Sequence, residues 1–351
     1  MKIWKREFLI SLIILSMIFS ACNNDREQIP DKIEIETLQV NTISDIFLNP
    51  KFVAKHGENL LLFENGLSND FFKIISRNDF SIIDSFGVEG EGPGEFSGTI
   101  SFPISGNEKN YTSLYDWSKK RVNRISLDNN KGYKINKSYN LPQELFLSQR
   151  ATFLNDTTVI ASGGIHSGLI SFVNTESNSI KYFNPHGNLT NENMGKRDIY
   201  ELFFSEFAVN NEKERIVAAS NFIPEIFILD YDGKILNKFR YEDFDFQNIV
   251  EQSPQERRVY YQSFGATENY FYSVFVDKSG TEMGRILEKN TNPEKITEVH
   301  VFDWNGNLQR KFELDKGYHP YITVDEENGR ILSVDRFNNN AILSFESEFI
   351  K

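Results

Sequence analysis

Cysteine is almost missing from this chain: 351 residues contain one, Cys22. No internal disulfide can form, so the fold must rest on its apolar core alone. Long apolar runs are missing too. The longest, Phe8 to Phe19, falls short of the ~20 residues that a membrane-spanning helix needs. No low-complexity tract and no long block of like charge interrupts the chain. Cations are outnumbered, 38 Lys and Arg against 50 Asp and Glu, for a net charge of -12. An acidic body repels phosphate backbones, which argues against nucleic acid as a partner. The five histidines, His56, His166, His186, His300 and His319, show no HxH or HExxH spacing. No G-x-S-x-G elbow is present, so nucleophilic catalysis has no support in the residues. What remains is rich in core-forming side chains: 39% hydrophobic, 14% aromatic, with 31 Phe. That suffices for one large domain or two ordinary ones.

The first residues have the layout of a secretory signal: Lys2, Lys5 and Arg6, then the apolar run, then Phe19-Ser20-Ala21-Cys22. Cysteine behind small residues resembles the lipobox of bacterial lipoproteins. That resemblance implies cleavage before Cys22, diacylation of its thiol and acylation of the new amino terminus. Residues 1–21 are thus expected to be a lipoprotein signal peptide. Residues 22–32, polar up to Pro30, are a flexible tether. The protein would be exported and anchored to the bacterial envelope, with a monomeric body outside the bilayer.

Beyond residue 33 the sequence repeats one grammar, short β-rich runs around turns of Asn, Asp and Gly. Ile226-Phe227-Ile228-Leu229 leads into Asp230-Tyr231-Asp232-Gly233 and then Lys234-Ile235-Leu236. Val299-His300-Val301-Phe302, Asp303-Trp304-Asn305-Gly306 and Asn307-Leu308-Gln309 repeat it. These are hairpins, whose Gly or Asn can take φ > 0. Corners recur near residues 77, 128, 175, 231, 304 and 346, a period of roughly 45–55. Each is preceded by another strand pair, as in Tyr321–Asp325 and Arg330–Asp335 around a Glu326–Gly329 turn. Four antiparallel strands per unit and six units predict an all-β fold, a six-bladed β-propeller over residues 33–351. The last unit holds only three strands. Ile33 to Val40 alternates and is expected to supply the fourth, closing the ring. A two-sheet sandwich is the rival, but it needs no such period.

Two segments break the grammar: Phe246–Phe264, expected to be helical after Ser253-Pro254, and the polar stretch Lys278–Lys295. In repeat folds such insertions gather on one binding face. The aromatic and mixed-charge cluster Arg257, Arg258, Tyr260 and Tyr261 is therefore the expected ligand-binding surface. A helix that merely caps the fifth blade is the alternative.

Gly87-Val88-Glu89-Gly90-Glu91-Gly92-Pro93-Gly94-Glu95-Phe96 is the sharpest internal motif. It lacks the GK[ST] ending of a phosphate loop, and its acidic side chains would repel an anion. A tight crossing between blades explains the glycines. The run resembles the corresponding loop of the TolB-like six-bladed propeller lipoproteins, close to NHL-type propellers. The resemblance implies a lipid-anchored scaffold that binds an envelope protein, peptide or glycan. It leaves open a second reading, an NHL-like or lactonase-like hydrolase or lyase with a divalent cation in its central channel.

The residues themselves assign no catalytic group, metal or cofactor. Asp230-Tyr231-Asp232-Gly233 opens like a Ca²⁺ loop, but its twelfth position is Tyr241 rather than a bidentate Glu. Ser162–Gly168 reads as a turn. Trp117 and Trp304 are candidates for a sugar platform, although their matching blade positions favour packing for both.

Overall fold

The computed structural model describes residues 33–44, 49–64, 70–92, 94–101, 111–128, 132–163, 168–186, 201–288, 297–315, 317–335 and 341–351. Cys22, the signal segment, the tether and His166 lie outside them.

Runs of β-branched and aromatic residues pair here into six sheets. Two strands come before the first sheet, Ile35–Leu38 (β1) and Val40–Ser44 (β2). Blade 1 is Pro50–His56 (β3), Asn59–Glu64 (β4), Phe72–Ser76 (β5) and Ile82–Phe86 (β6). Blade 2 has Thr112–Asp116 (β7), Arg121–Asp128 (β8) and Gly132–Asn140 (β9). Its innermost place is taken by Ile100, bridged to Asp116. Blade 3 is Ala151–Phe153 (β10), Thr158–Ser162 (β11), Ile170–Asn174 (β12) and Ile180–Phe183 (β13). Blade 4 is Ser205–Asn210 (β14), Arg215–Ser220 (β15), Glu225–Asp230 (β16) and Ile235–Arg240 (β17). Blade 5 is Arg258–Ala266 (β18), Tyr270–Ser279 (β19), Thr297–Asp303 (β20) and Leu308–Leu314 (β21). Blade 6 is Thr323–Asp325 (β22), Arg330–Val334 (β23) and Ile342–Glu346 (β24).

Second strands are buried on both faces, as Leu60 to Phe63 in β4 are, because each blade is packed between two others. Outer strands reach solvent, and Ile82 and Ile83 of β6 stay exposed. Every junction between neighbouring blades holds its own apolar cluster. Phe52 and Phe72 meet Leu114 and Ile125 between blades 1 and 2. Val53, Leu60 and Leu62 meet Leu332 and Ile342 between blades 1 and 6. The ring is therefore closed by packing as well as by chain connection.

The closing strand is not the expected segment. Residues 33–40 split between two blades: β2 pairs antiparallel with β24, Val40 opposite Phe345, and completes blade 6. β1 instead adds a fifth strand to blade 5, parallel to β21, with Leu38 opposite Leu314. Buried Leu38 packs among the apolar residues shared by blades 5 and 6, which draws β1 to that edge.

The helix also lies elsewhere than expected. Phe246–Glu251 (α1) comes before Ser253-Pro254 rather than after it. Asp245 caps it by accepting the Gln247 N–H at 3.0 Å. The chain extends at Gln252, where α1 ends, and makes one turn over Ser253–Arg257 before β18. The polar stretch after Lys278 holds Gly280–Glu288 (α2). Its start is a capping box: Ser279 N–H donates to Glu282 at 2.8 Å, and Glu282 N–H to Ser279 Oγ at 3.2 Å.

Candidate functional site

Antiparallel blades place the start of the first strand, the end of the second and the start of the third on one face of the ring. Both insertions lie on that face, since α1 leads into β18 and α2 joins β19 to β20. They are tied together there: Gly280 N–H donates to Arg257 O at 3.0 Å and Thr281 N–H to Gln255 O at 2.9 Å.

A cavity of about 670 Å³ opens on the same face, within the range of small-molecule sites. Its walls are the starts of first strands and the ends of second strands of four blades. Blade 1 gives Pro50 to Val53, blade 2 gives Thr99 to Ser101 and Trp117, and blade 3 gives Gln149 and Arg150. Blade 6 gives Pro320, Tyr321, Ser333 and Val334. Backbone bonds set this wall: Trp117 N–H donates to Thr99 O at 2.9 Å and Ser101 N–H to Tyr115 O at 3.0 Å.

Arg150 forms the floor. It is buried, and its Nε and Nη2 grip the carboxylate of Glu206 in blade 4 at 2.9 and 3.1 Å. Its guanidinium also lies 4.9 Å from the Tyr321 ring centre. Blades 3 and 6 stand opposite each other in a ring of six, so Arg150 and Tyr321 meet across the axis. Burial alone would ease the proton off Arg150, but the Glu206 carboxylate outweighs burial and holds the guanidinium charged. The wall above is mixed: aromatic at Phe52, Trp117 and Tyr321, hydroxyl and amide at Thr99, Ser333 and Gln149, cationic at Lys51. Among the described residues no carboxylate lines it.

The cluster expected at the fifth blade faces a different way. Arg257 is 3% exposed and clamps the end of α1, Nε donating to Ile249 O at 3.2 Å and Nη2 to Val250 O at 3.3 Å. Tyr260 is buried, its hydroxyl donating to Glu242 at 2.6 Å, and Tyr261 is fully buried. Arg258 alone reaches solvent, and it is engaged by Asp277 at 2.6 Å. Three of these four side chains thus serve packing on this face, and none lines the cavity. The two tryptophans part company as well. Trp304 is 3% exposed and donates to Thr267 O at 3.2 Å, while Trp117 is 37% exposed and lines the cavity.

The remaining motifs are structural. Asp230 Oδ1 accepts the N–H groups of Asp232 and Lys234, so the Ca²⁺-like stretch is a turn. In the glycine-rich loop Glu95 folds back to accept Gly92 N–H at 2.6 Å, and a Cβ at Gly90 would overlap that carboxylate. His56, His300 and His319 are buried in separate blades. His300 bonds Glu298 at 3.0 Å, and burial pushes its pKa down despite that partner. Among the described residues no three His, Cys, Asp or Glu come together as metal ligands. Arg150, Glu206, Tyr321 and Lys51 carry no motif, since they meet only through the ring.

The description "TolB-like 6-blade propeller-like" matches residues 31–327. The chain belongs to this family. Two solved structures share the propeller fold of this TolB-like protein. A candidate exported protein of Bacteroides fragilis NCTC 9343 is 12% identical, with a TM-score of 0.55 over 91% of this chain and 97% of its own. A DUF4221 member from Bacteroides vulgatus ATCC 8482 is 11% identical, with a TM-score of 0.54 over 90% and 97%. No curated protein matches the chain.

Proposed function

We propose that this protein is a lipid-tethered envelope propeller that binds its ligand, a glycan, peptide or part of an envelope protein, in the cavity at the mouth of the axis. The observation that carries this reading is the cavity itself, walled by four blades, with Arg150 and Tyr321 in its lining and Glu206 paired to Arg150. A concave pocket of this volume buries most of a small ligand's surface. The signal-like start and Cys22 support export and anchoring. The description of the Bacteroides fragilis relative as an exported-protein candidate fits the same reading.

Anchoring is tested by Cys22→Ser, which should move the protein out of the detergent phase; unchanged partitioning overturns it. Binding is tested by native mass spectrometry of protein purified from its own membranes. Thr99 is exposed on the cavity wall, so Thr99→Trp fills the mouth without touching the core. Loss of a retained small molecule in that variant, at an unchanged melting temperature, supports the cavity as the site. An empty wild type, or equal retention in both, overturns it.

A further inference from the structure

We propose that the mouth cavity takes a small carboxylate carried on a flat ring, an inference that rests on the cavity being the binding site. The first observation is charge. The chain as a whole is acidic, yet Lys51 and Arg150 line this cavity and, among the described residues, no Asp or Glu does. Glu206 balances Arg150 from behind, so the excess positive charge of the lining rests on Lys51, and Lys120, outside the lining, adds a cation against the Trp117 ring. Lys120 holds its ammonium 3.9 Å from the centre of the Trp117 ring. Among the described residues Lys51 bonds Asn49 at 2.7 Å on the exposed side, a bond that a ligand carboxylate can replace at little cost. Against a net negative protein, an anion enters only where cations outnumber acids locally, and this wall is such a place.

The second observation is shape and chemistry. Trp117 offers a half-exposed indole within the wall, and Tyr321 a second ring over the floor. Aromatic faces favour the flat face of another ring, aromatic or sugar, while Thr99, Gln149 and Ser333 can meet hydroxyls at its edge. A bare inorganic anion uses none of the aromatic wall, and a neutral ring uses neither lysine. The shared chemistry, a carboxylate on a ring, is found in acidic sugars and in aromatic acids.

The test uses the mature protein, beginning at Cys22, in detergent, with trigalacturonate and 4-hydroxyphenylacetate as probes and galactotriose and tyramine as uncharged-sugar and cationic controls. Cleavage before Cys22 removes Trp4, so Trp117 and Trp304 are the indoles of the mature chain, and Trp304 is buried. Fluorescence then reports on Trp117, and calorimetry gives the affinity. One or both acids should bind and perturb the indole while the controls do not, and whichever acid binds identifies the source. Lys51→Gln and Lys120→Gln should each weaken binding about 2–5-fold, as removal of an exposed ion pair does. Trp117→Ala should weaken it further by calorimetry. Controls that bind as tightly as the acids overturn the proposal, as does an affinity unmoved by both lysine changes. If Thr99→Trp expels the native ligand but no ring carboxylate binds, the ligand class is wrong and the cavity stands.

Discussion

Arg77 of blade 1 and Asp325 of blade 6 form a buried ion pair across the seam where the ring closes, Nε to Oδ1 at 3.1 Å. Arg330 reaches the other carboxylate oxygen at 3.0 Å and also donates to the Arg77 carbonyl. Asn328 adds a donor at 2.9 Å. Close by, Thr323 Oγ1 donates to Val53 O at 2.7 Å, so side chains as well as strands bind the last blade to the first.

Removing one partner of such a pair leaves a charge buried without compensation, at a cost of about 3–5 kcal/mol. Arg77→Ala and Asp325→Asn should each lower the melting temperature by on the order of 10 °C. Arg77→Ala combined with Asp325→Ala should cost less than the sum of the two single alanine changes, because neither charge is then stranded. Burial alone would lift the Asp325 carboxyl, but hydrogen bonds from Arg77 and Asn328 outweigh it and hold it below the ordinary range. The unfolded chain then takes up the proton first. The contribution is therefore complete above about pH 5 and is lost as pH falls through the acid range. Melts from pH 7 to pH 4 should show a shallower decline in Asp325→Asn than in wild type. Parallel curves would contradict the seam's role.

Truncation separates the two N-terminal strands. Deleting residues 33–38 removes β1, whose one fully buried side chain is Leu38, and should cost about 1.5–3 kcal/mol. Deleting 33–44 also removes β2 and bares the β24 edge, an invitation to aggregate. Size-exclusion chromatography should find the first variant monodisperse and the second aggregated or insoluble. Equal behaviour would mean that β2 does not close blade 6.

The contrast between these strands shows where reading from sequence stops. Hairpin corners were legible because their chemistry is local: Asp230 and Asp303 bond backbone N–H groups two and four residues on. Gly233 and Gly306 take φ of 75° and 95° there. Residues 33–40 alternate without a breaker, so nothing local divides them, and only the apolar setting of Leu38 does. The capping box Ser279-Gly280-Thr281-Glu282 gave a local signal for α2 that the surrounding polarity hid. Arg257 looked like a surface cation because its carbonyl partners lie in α1, a helix expected elsewhere. The cavity was beyond reach for a different reason. Its residues come from the starts and ends of strands in different blades, far apart in the chain, and they meet only when the ring closes.

His56 makes the junction of blades 1 and 2 sensitive to pH. It ends β3, is buried, and pairs through Nδ1 with the Thr112 hydroxyl at the start of β7. Burial lowers its pKa from 6.5 to about 4. An unfolded imidazole takes up its proton near pH 6.5 and the folded one only near 4, so acid favours the unfolded chain between those values. The slope approaches 1.4 kcal/mol per pH unit, or about 2 kcal/mol lost by pH 5. His56→Gln keeps a polar group for Thr112 and cannot be protonated in this range. Its stability at pH 7 should fall, yet the gap to wild type should narrow by about 2 kcal/mol on going to pH 5. Denaturant melts at both pH values measure this directly. A gap that stays constant would mean that His56 is charged in the folded protein, against the effect of its burial.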